Sequence, residues 1–305
     1  MPSNYDRLFG YDWNPDARDA YLDSLPSGSR MFDSSGRSIE GTGRGQVRLL
    51  HKCIEKVTGR EWIPSRQTIG DCVSHGFAHG VMALMAAEIC AGERERWGGS
   101  VATEPIYAAA RVEIGGGQLS GDGCYGGWAA KAVQQFGTVV RGKYGRIDLT
   151  EYSGSVAKSW GRRGNGCPDS LEPHMQEHTV RSASLVTSYK EARDAIFNGY
   201  PVPVCSGQGF TSTRDSDGFA KPRGSWSHCM CFIGVDDDSK RKGLLCLNSW
   251  GPSWIRGPRR HGQPRGSFWV DADVADRMLN RRSDSYALSG FDGYPAKAID
   301  YSEMF

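Results

Sequence analysis

No stretch of this chain approaches the ~20 consecutive apolar residues a membrane-spanning helix needs, and its first residues, MPSNYDRLFGYDWNPDARD, are polar and acidic with no apolar centre. A membrane span and a secretory signal are both excluded on that pattern, and a cytoplasmic protein is expected. Charge of one sign is also lacking. The formal net charge is +2 over 305 residues, which calls for neither nucleic acid nor an anionic membrane as partner. The nine cysteines include no C-x-x-C pair, so a zinc ribbon or redox motif is not indicated. An odd number of scattered cysteines in a chain this long points to reduced thiols rather than a disulfide framework. Cys229 and Cys231, inside the apolar run CMCFIGV, fit two small core residues on one face of a strand. No cofactor or metal is expected.

What is present divides the chain. Residues 1–58 are rich in Gly, Ser, Asp and Arg and read as an N-terminal extended arm, with a short helix over 46–57. Residues 59–180 read as a helical lobe. There the mostly small and apolar run from Cys72 to Cys90 predicts a buried helix, further helices fit 104–113 and 127–136, and a glycine-dense loop separates those two. Residues 181–305 read as a β-rich lobe of short apolar runs between turn formers. One helix, over 189–198 with Ser188 as N-cap, interrupts them. Helices first and strands second argue for an α+β protein rather than alternating βαβ units.

The chemistry falls at the boundary of the lobes. A cysteine becomes nucleophilic as the thiolate, which a helix N-terminus and a nearby imidazolium both favour. Cys72 stands where the loop SRQTIGD gives way to the apolar helix. His228 opens one strand run, and Asn248 closes another in LLCLNSWG. Such a base and its orienting residue are expected from other elements, near in space and distant in sequence. His75 and His79 are rival bases, although residues on the nucleophile's own helix seldom face its start.

In order along the chain, QTIGDC around Cys72, Cys124-Tyr125-Gly126-Gly127, Ser227-His228 with the strand to Gly234, Asn248-Ser249-Trp250-Gly251 and Gly266-Ser267-Phe268-Trp269 resemble the motifs of the papain-like cysteine peptidases. GYDWNPDARD is similar to the bacterial branch. The resemblance implies a two-lobe α+β fold, a helical lobe and an antiparallel β-barrel-like lobe with the active-site cleft between them. It implies a peptidase acting on peptide or protein substrates through an acyl-enzyme thioester. Cys72 would attack the scissile carbonyl, His228 would hold the thiolate and protonate the leaving amine, and Asn248 would orient the imidazole under the cover of Trp250. The Cys72 N–H and the Gln67 amide would form the oxyanion hole. Gly126 and Gly127 would pair with substrate backbone, and Cys205, in PVPVC, would line the main specificity pocket.

Several positions depart from the family. Val73 stands where an aromatic residue usually follows the nucleophile. Gln67 lies five rather than six residues before Cys72, leaving Arg66 or Ser65 as rival donors to the hole. Ile69 replaces a bridging cysteine, so Cys124 should be free. No inhibitory pro-segment is recognisable in the first 60 residues. The basic stretch from Arg256 to His261 reads as a solvated loop, or else as a preference for acidic residues near the cleaved bond. The alternatives to a peptidase are a catalytically silent papain-like binding module and a papain-like amidase or transferase.

Overall fold

The computed structural model describes residues 5–93, 96–280 and 282–299. Among them no helix is long and apolar enough to cross a membrane. The elements used below are, in chain order, α1 (Pro15–Asp23), β1 (Val47–Leu49), α2 (Leu50–Thr58), α3 (Cys72–Cys90), α4 (Thr103–Ala109), α5 (Gly126–Gln135), α6 (Gly154–Trp160), β2 (Ser182–Leu185), α7 (Tyr189–Phe197), β3 (Val202–Arg214), β4 (Ala220–Asp236), β5 (Gly243–Leu247), β6 (Ser267–Asp271) and β7 (Tyr286–Ser289).

The helix expected from Cys72 to Cys90 forms over those residues, and it is buried on every side from Cys72 to Glu88. A helix apolar all round has no solvent face to offer and must sit inside the protein. Gly76 lets it approach β4 closely, since a Cβ there would meet Cys229 Sγ at 2.7 Å. On its other sides pack α2, α4 and α5, which with α6 make the helical lobe.

The second lobe is a five-stranded antiparallel sheet centred on β4. β5 pairs with one edge of β4, while β3 and then β1 take successive stretches of the other; β6 closes the sheet beyond β5. The run GLLCL is buried at all five positions. Each of its leucines contributes roughly 1.5–3 kcal/mol by leaving water. The interrupting helix also forms, as α7, with the Ser188 hydroxyl capping it at Glu191 N.

The N-terminal region is not a plain extended arm. Three of its first five elements are single short turns of 3-10 helix, and α1 is capped by Asn14 and followed by packed chain. Tyr21 is buried and donates to the Ala183 carbonyl at 2.9 Å, Phe32 lies edge-on to Tyr294, and Asp194 accepts from Gly41 N and Gly43 N. The expected helix at 46–57 begins later, because 47–49 is drawn into the sheet as β1.

Candidate active site

Cys72 is the first residue of α3 and so stands at the positive end of that helix. His228 lies on β4 and Asn248 directly follows β5. Both strands belong to one sheet, which holds these side chains together: His228 Nε2 meets Asn248 Oδ1 at 2.8 Å. The same Oδ1 accepts the Ser249 N–H at 2.7 Å. It is therefore an acceptor from both sides, and His228 must carry its proton on Nε2. Nδ1 is left bare and without a hydrogen-bond partner, the form able to take a proton. Cys72 reaches the same strand one residue on, where Cys229 N donates to its Sγ at 3.4 Å. Trp250 covers the imidazole with ring centroids 4.7 Å apart.

Gln67 sits beside them and is 1% exposed. Its carbonyl oxygen accepts from the Ser249 hydroxyl, which fixes the amide so that Nε2 points toward the cleft. Cys205 lies one strand away, paired in register with Cys229, and lines a cavity of about 550 Å³. Gly126 and Gly127 are not in this group. They form the first turn of α5, where Gly126 N donates to Asp284 Oδ2 at 2.6 Å and Gly127 packs beneath Tyr21 and Tyr286. His75 and His79 are engaged with other groups: His75 Nδ1 meets Ser65 Oγ and His79 lies edge-on to Trp62. The basic loop is tied down by carboxylates, Arg259 and Arg265 on Glu61 and Arg260 and His261 on Asp236. Cys124 is a free thiol.

The sequence reading missed what fills the cleft. Residues 5–12 run between the lobes as a strap. Tyr5 stacks on Trp250 at 4.5 Å. The Leu8 carbonyl accepts the Gln67 amide at 2.9 Å, and Phe9 packs against His228 at 6.1 Å. The Gly10 N–H donates to the Ser227 carbonyl at 3.1 Å and lies close enough to the Cys72 sulfur to favour its charged form. Gly10 O accepts from Cys124 N at 2.8 Å and Asp12 N donates back to Cys124 O, so the strap pairs with Cys124 rather than with Gly127. Tyr11 then enters the cavity that Cys205 lines. The passage is narrow: a Cβ on Gly10 would stand 1.8 Å from the Gly70 carbonyl oxygen. A signal for this existed in the sequence, the aromatic residues Tyr5, Phe9, Tyr11 and Trp13 in an otherwise polar terminus.

With the strap in place the site is dry. Cys72, His228 and Asn248 are each 0% exposed. Burial pushes the Cys72 thiol well above its usual range, helped by Cys229 and opposed by the N–H groups of Cys229 and Gly10. Burial also pushes His228 down to about 4, against the raising effect of Asn248. Desolvation penalises both charged forms, so the closed site holds a neutral thiol and a neutral imidazole.

The chain matches no family model and no curated protein. Its fold is shared with solved cysteine proteases. Xylellain, a cysteine protease from Xylella fastidiosa, superposes with a TM-score of 0.53 at 15% identity, over 95% of this chain and 95% of that one. The Amb a 11 cysteine protease, a ragweed pollen allergen solved in its proform, does so with a TM-score of 0.50 at 12% identity, over 92% of this chain and 80% of the other. The two-lobe α+β architecture is thus the papain-like one.

Proposed function

We propose that this chain of papain-like fold is a cysteine peptidase, held latent by its own residues 5–12. The observation that carries the reading is the orientation of His228. Asn248 and Ser249 together fix its proton on Nε2, which leaves Nδ1 as base on the strand whose next N–H rests on Cys72 Sγ.

In the open state the thiol gives its proton to Nδ1, and the α3 N-terminus favours the resulting thiolate. Sulfur adds to the substrate carbonyl carbon. The carbonyl oxygen gains the charge, and the Cys72 N–H and Gln67 amide, released from Leu8, receive it. The imidazolium protonates the departing amine as the C–N bond breaks, leaving a thioester. Water, deprotonated by His228, then hydrolyses the thioester and restores the thiol. A reaction through acyl-sulfur chemistry asks for no cofactor. Substrate side chains would enter the cavity that Tyr11 and Cys205 line. A catalytically silent module would have no use for a bare, oriented Nδ1, and nothing at the site favours an amidase or transferase over a peptidase.

A peptide-library cleavage profile on the chain with its strap loosened by Gly10→Ala tests this reading, with Gly10→Ala/Cys72→Ala as blank. Cleavage in the first and none in the second is expected; equal cleavage in both, or none in either, would refute it.

A further inference from the structure

Behind the loop that carries Gln67, on the helical lobe, lies a cavity of about 400 Å³ unconnected with the chemistry above. One wall is apolar, made by Trp62, Met82 and Val101. A neighbouring cavity of about 240 Å³ shares Trp62 and Met82 and extends that wall with Ile54 and Trp97. His79 lines the larger cavity. It is 3% exposed, yet neither of its ring nitrogens has a hydrogen-bond partner. Beside it, though not on the cavity wall, the buried His75 and Asp71 face each other, Nε2 to Oδ2 at 3.6 Å. Buried polar atoms are rarely left unsatisfied, and each such atom asks for a partner. The two His79 nitrogens, on the wall of this cavity, ask for an occupant.

The polar lining says what kind. Arg66, Arg141, the His79 imidazole and the hydroxyls of Ser65 and Ser100 all donate, against one lining carboxylate, that of Glu151. Arg141 is engaged by the buried Glu104 at 3.1 Å, whereas Arg66 is exposed and makes no ion pair among the described residues. Burial holds His79 down to about 3, with His75 adding to the effect, so at neutral pH it is an uncharged ring with one N–H to give. Donors and positive charge on one side with apolar surface on the other complement an amphipathic anion.

We propose that this cavity is a binding site for a small carboxylate with an apolar body, its carboxylate held by Arg66 and the His79 N–H and its body laid against Trp62, Met82 and Val101. The site shares the segment 65–68 with the cleft: Gln67 faces the Leu8 carbonyl, while Ser65, Arg66 and Thr68 face the cavity.

The test is a titration of the full chain with 3-phenylpropionate, read by the side-chain ¹⁵N resonances of its histidines, with 3-phenylpropanol as the uncharged comparison. Saturable movement of the His79 signals is expected with the carboxylate and not with the alcohol. A carboxylate at the ring favours its charged form, so the signals should move toward the imidazolium position. Arg66→Ala, a change at an exposed residue, should weaken binding about tenfold, the scale of one charge-assisted hydrogen bond. His79→Gln should abolish binding. No saturable movement at millimolar carboxylate would overturn the proposal, as would equal binding of the alcohol or undiminished binding by Arg66→Ala. Because the readout is binding, it stands or falls separately from peptidase activity.

Discussion

Gln67 gives its side-chain amide to the carbonyl of Leu8 at 2.9 Å, so the donor expected to meet a substrate oxyanion meets the chain's own N-terminus instead. Leu8 stands where the proposed oxyanion hole would lie, and the neighbouring Gly10, whose N–H donates to the Ser227 carbonyl, passes close to the Cys72 sulfur. The two contacts together account for Cys72 and His228 being closed to solvent.

Gly10 is the place to break the closure without touching the reacting groups. Its absent Cβ is what lets the strap pass the Gly70 carbonyl. Gly10→Ala should raise kcat/KM for peptides by on the order of tenfold or more, the change in open population given by about 1.4 kcal/mol lost from the closed state. Unaltered or lower activity in a folded Gly10→Ala protein would show that the strap does not limit access.

Acid should loosen the strap. Closure lowers His228 from its ordinary 6.5 to about 4. Between those values the open state binds more protons than the closed one, so closure is fully favoured above 6.5 and weakens as pH falls toward 4. The open fraction should grow by up to about a hundredfold across that window. The ratio of wild-type to Gly10→Ala peptidase rates, taken at each pH, measures it. A ratio that stays flat from pH 6.5 to 4 would contradict the linkage.

Gln67→Ala, made in the Gly10→Ala chain, should lower kcat on the order of a hundredfold while KM changes little, as loss of one oxyanion donor does. A fall below about fivefold would remove Gln67 from the hole, since that is far under the range for such a donor. The rivals fare differently in the structure: Ser65 is held by His75, and Arg66 lines the cavity behind the loop.

The basic loop should not select substrates. Arg259, Arg260 and Arg265 already meet Glu61 and Asp236, which leaves Arg256 outside these pairs and little unpaired charge to steer a substrate. Rates on acidic peptides should therefore be no more sensitive to ionic strength than rates on neutral ones. A marked loss with salt confined to acidic peptides would restore the loop as a specificity element.

How much of this was legible depended on whether the cause was local. The helix from Cys72 to Cys90 and the strand GLLCL follow from composition, because a run of buried residues has few places to go. Asn248 and His228 were legible from their short motifs, the one just past the end of β5 and the other midway along β4, and the pairing of these strands then brings them together. Residues 47–49 were read as helix and became β1, since Gly234 and its neighbours on β4 offered an unpaired edge. β7 and α6 went unread for similar reasons: each is short and made by what it packs on. The strap was least legible. Its aromatic residues follow neither helical nor strand periodicity, and their partners, Trp250, His228 and Cys124, lie over a hundred residues away.

The central claim is that Cys72 and His228 act as one acid–base pair once the strap lifts. Limiting iodoacetamide at mildly acidic pH, followed by mass-spectrometric mapping of the nine thiols, tests it most directly, because ordinary thiols are then protonated and slow. In the Gly10→Ala chain Cys72 should be alkylated first, in the wild type it should be protected, and adding His228→Ala to Gly10→Ala should erase its advantage. Uniform labelling of the nine cysteines in Gly10→Ala, or a Cys72 rate indifferent to His228→Ala, would contradict the account.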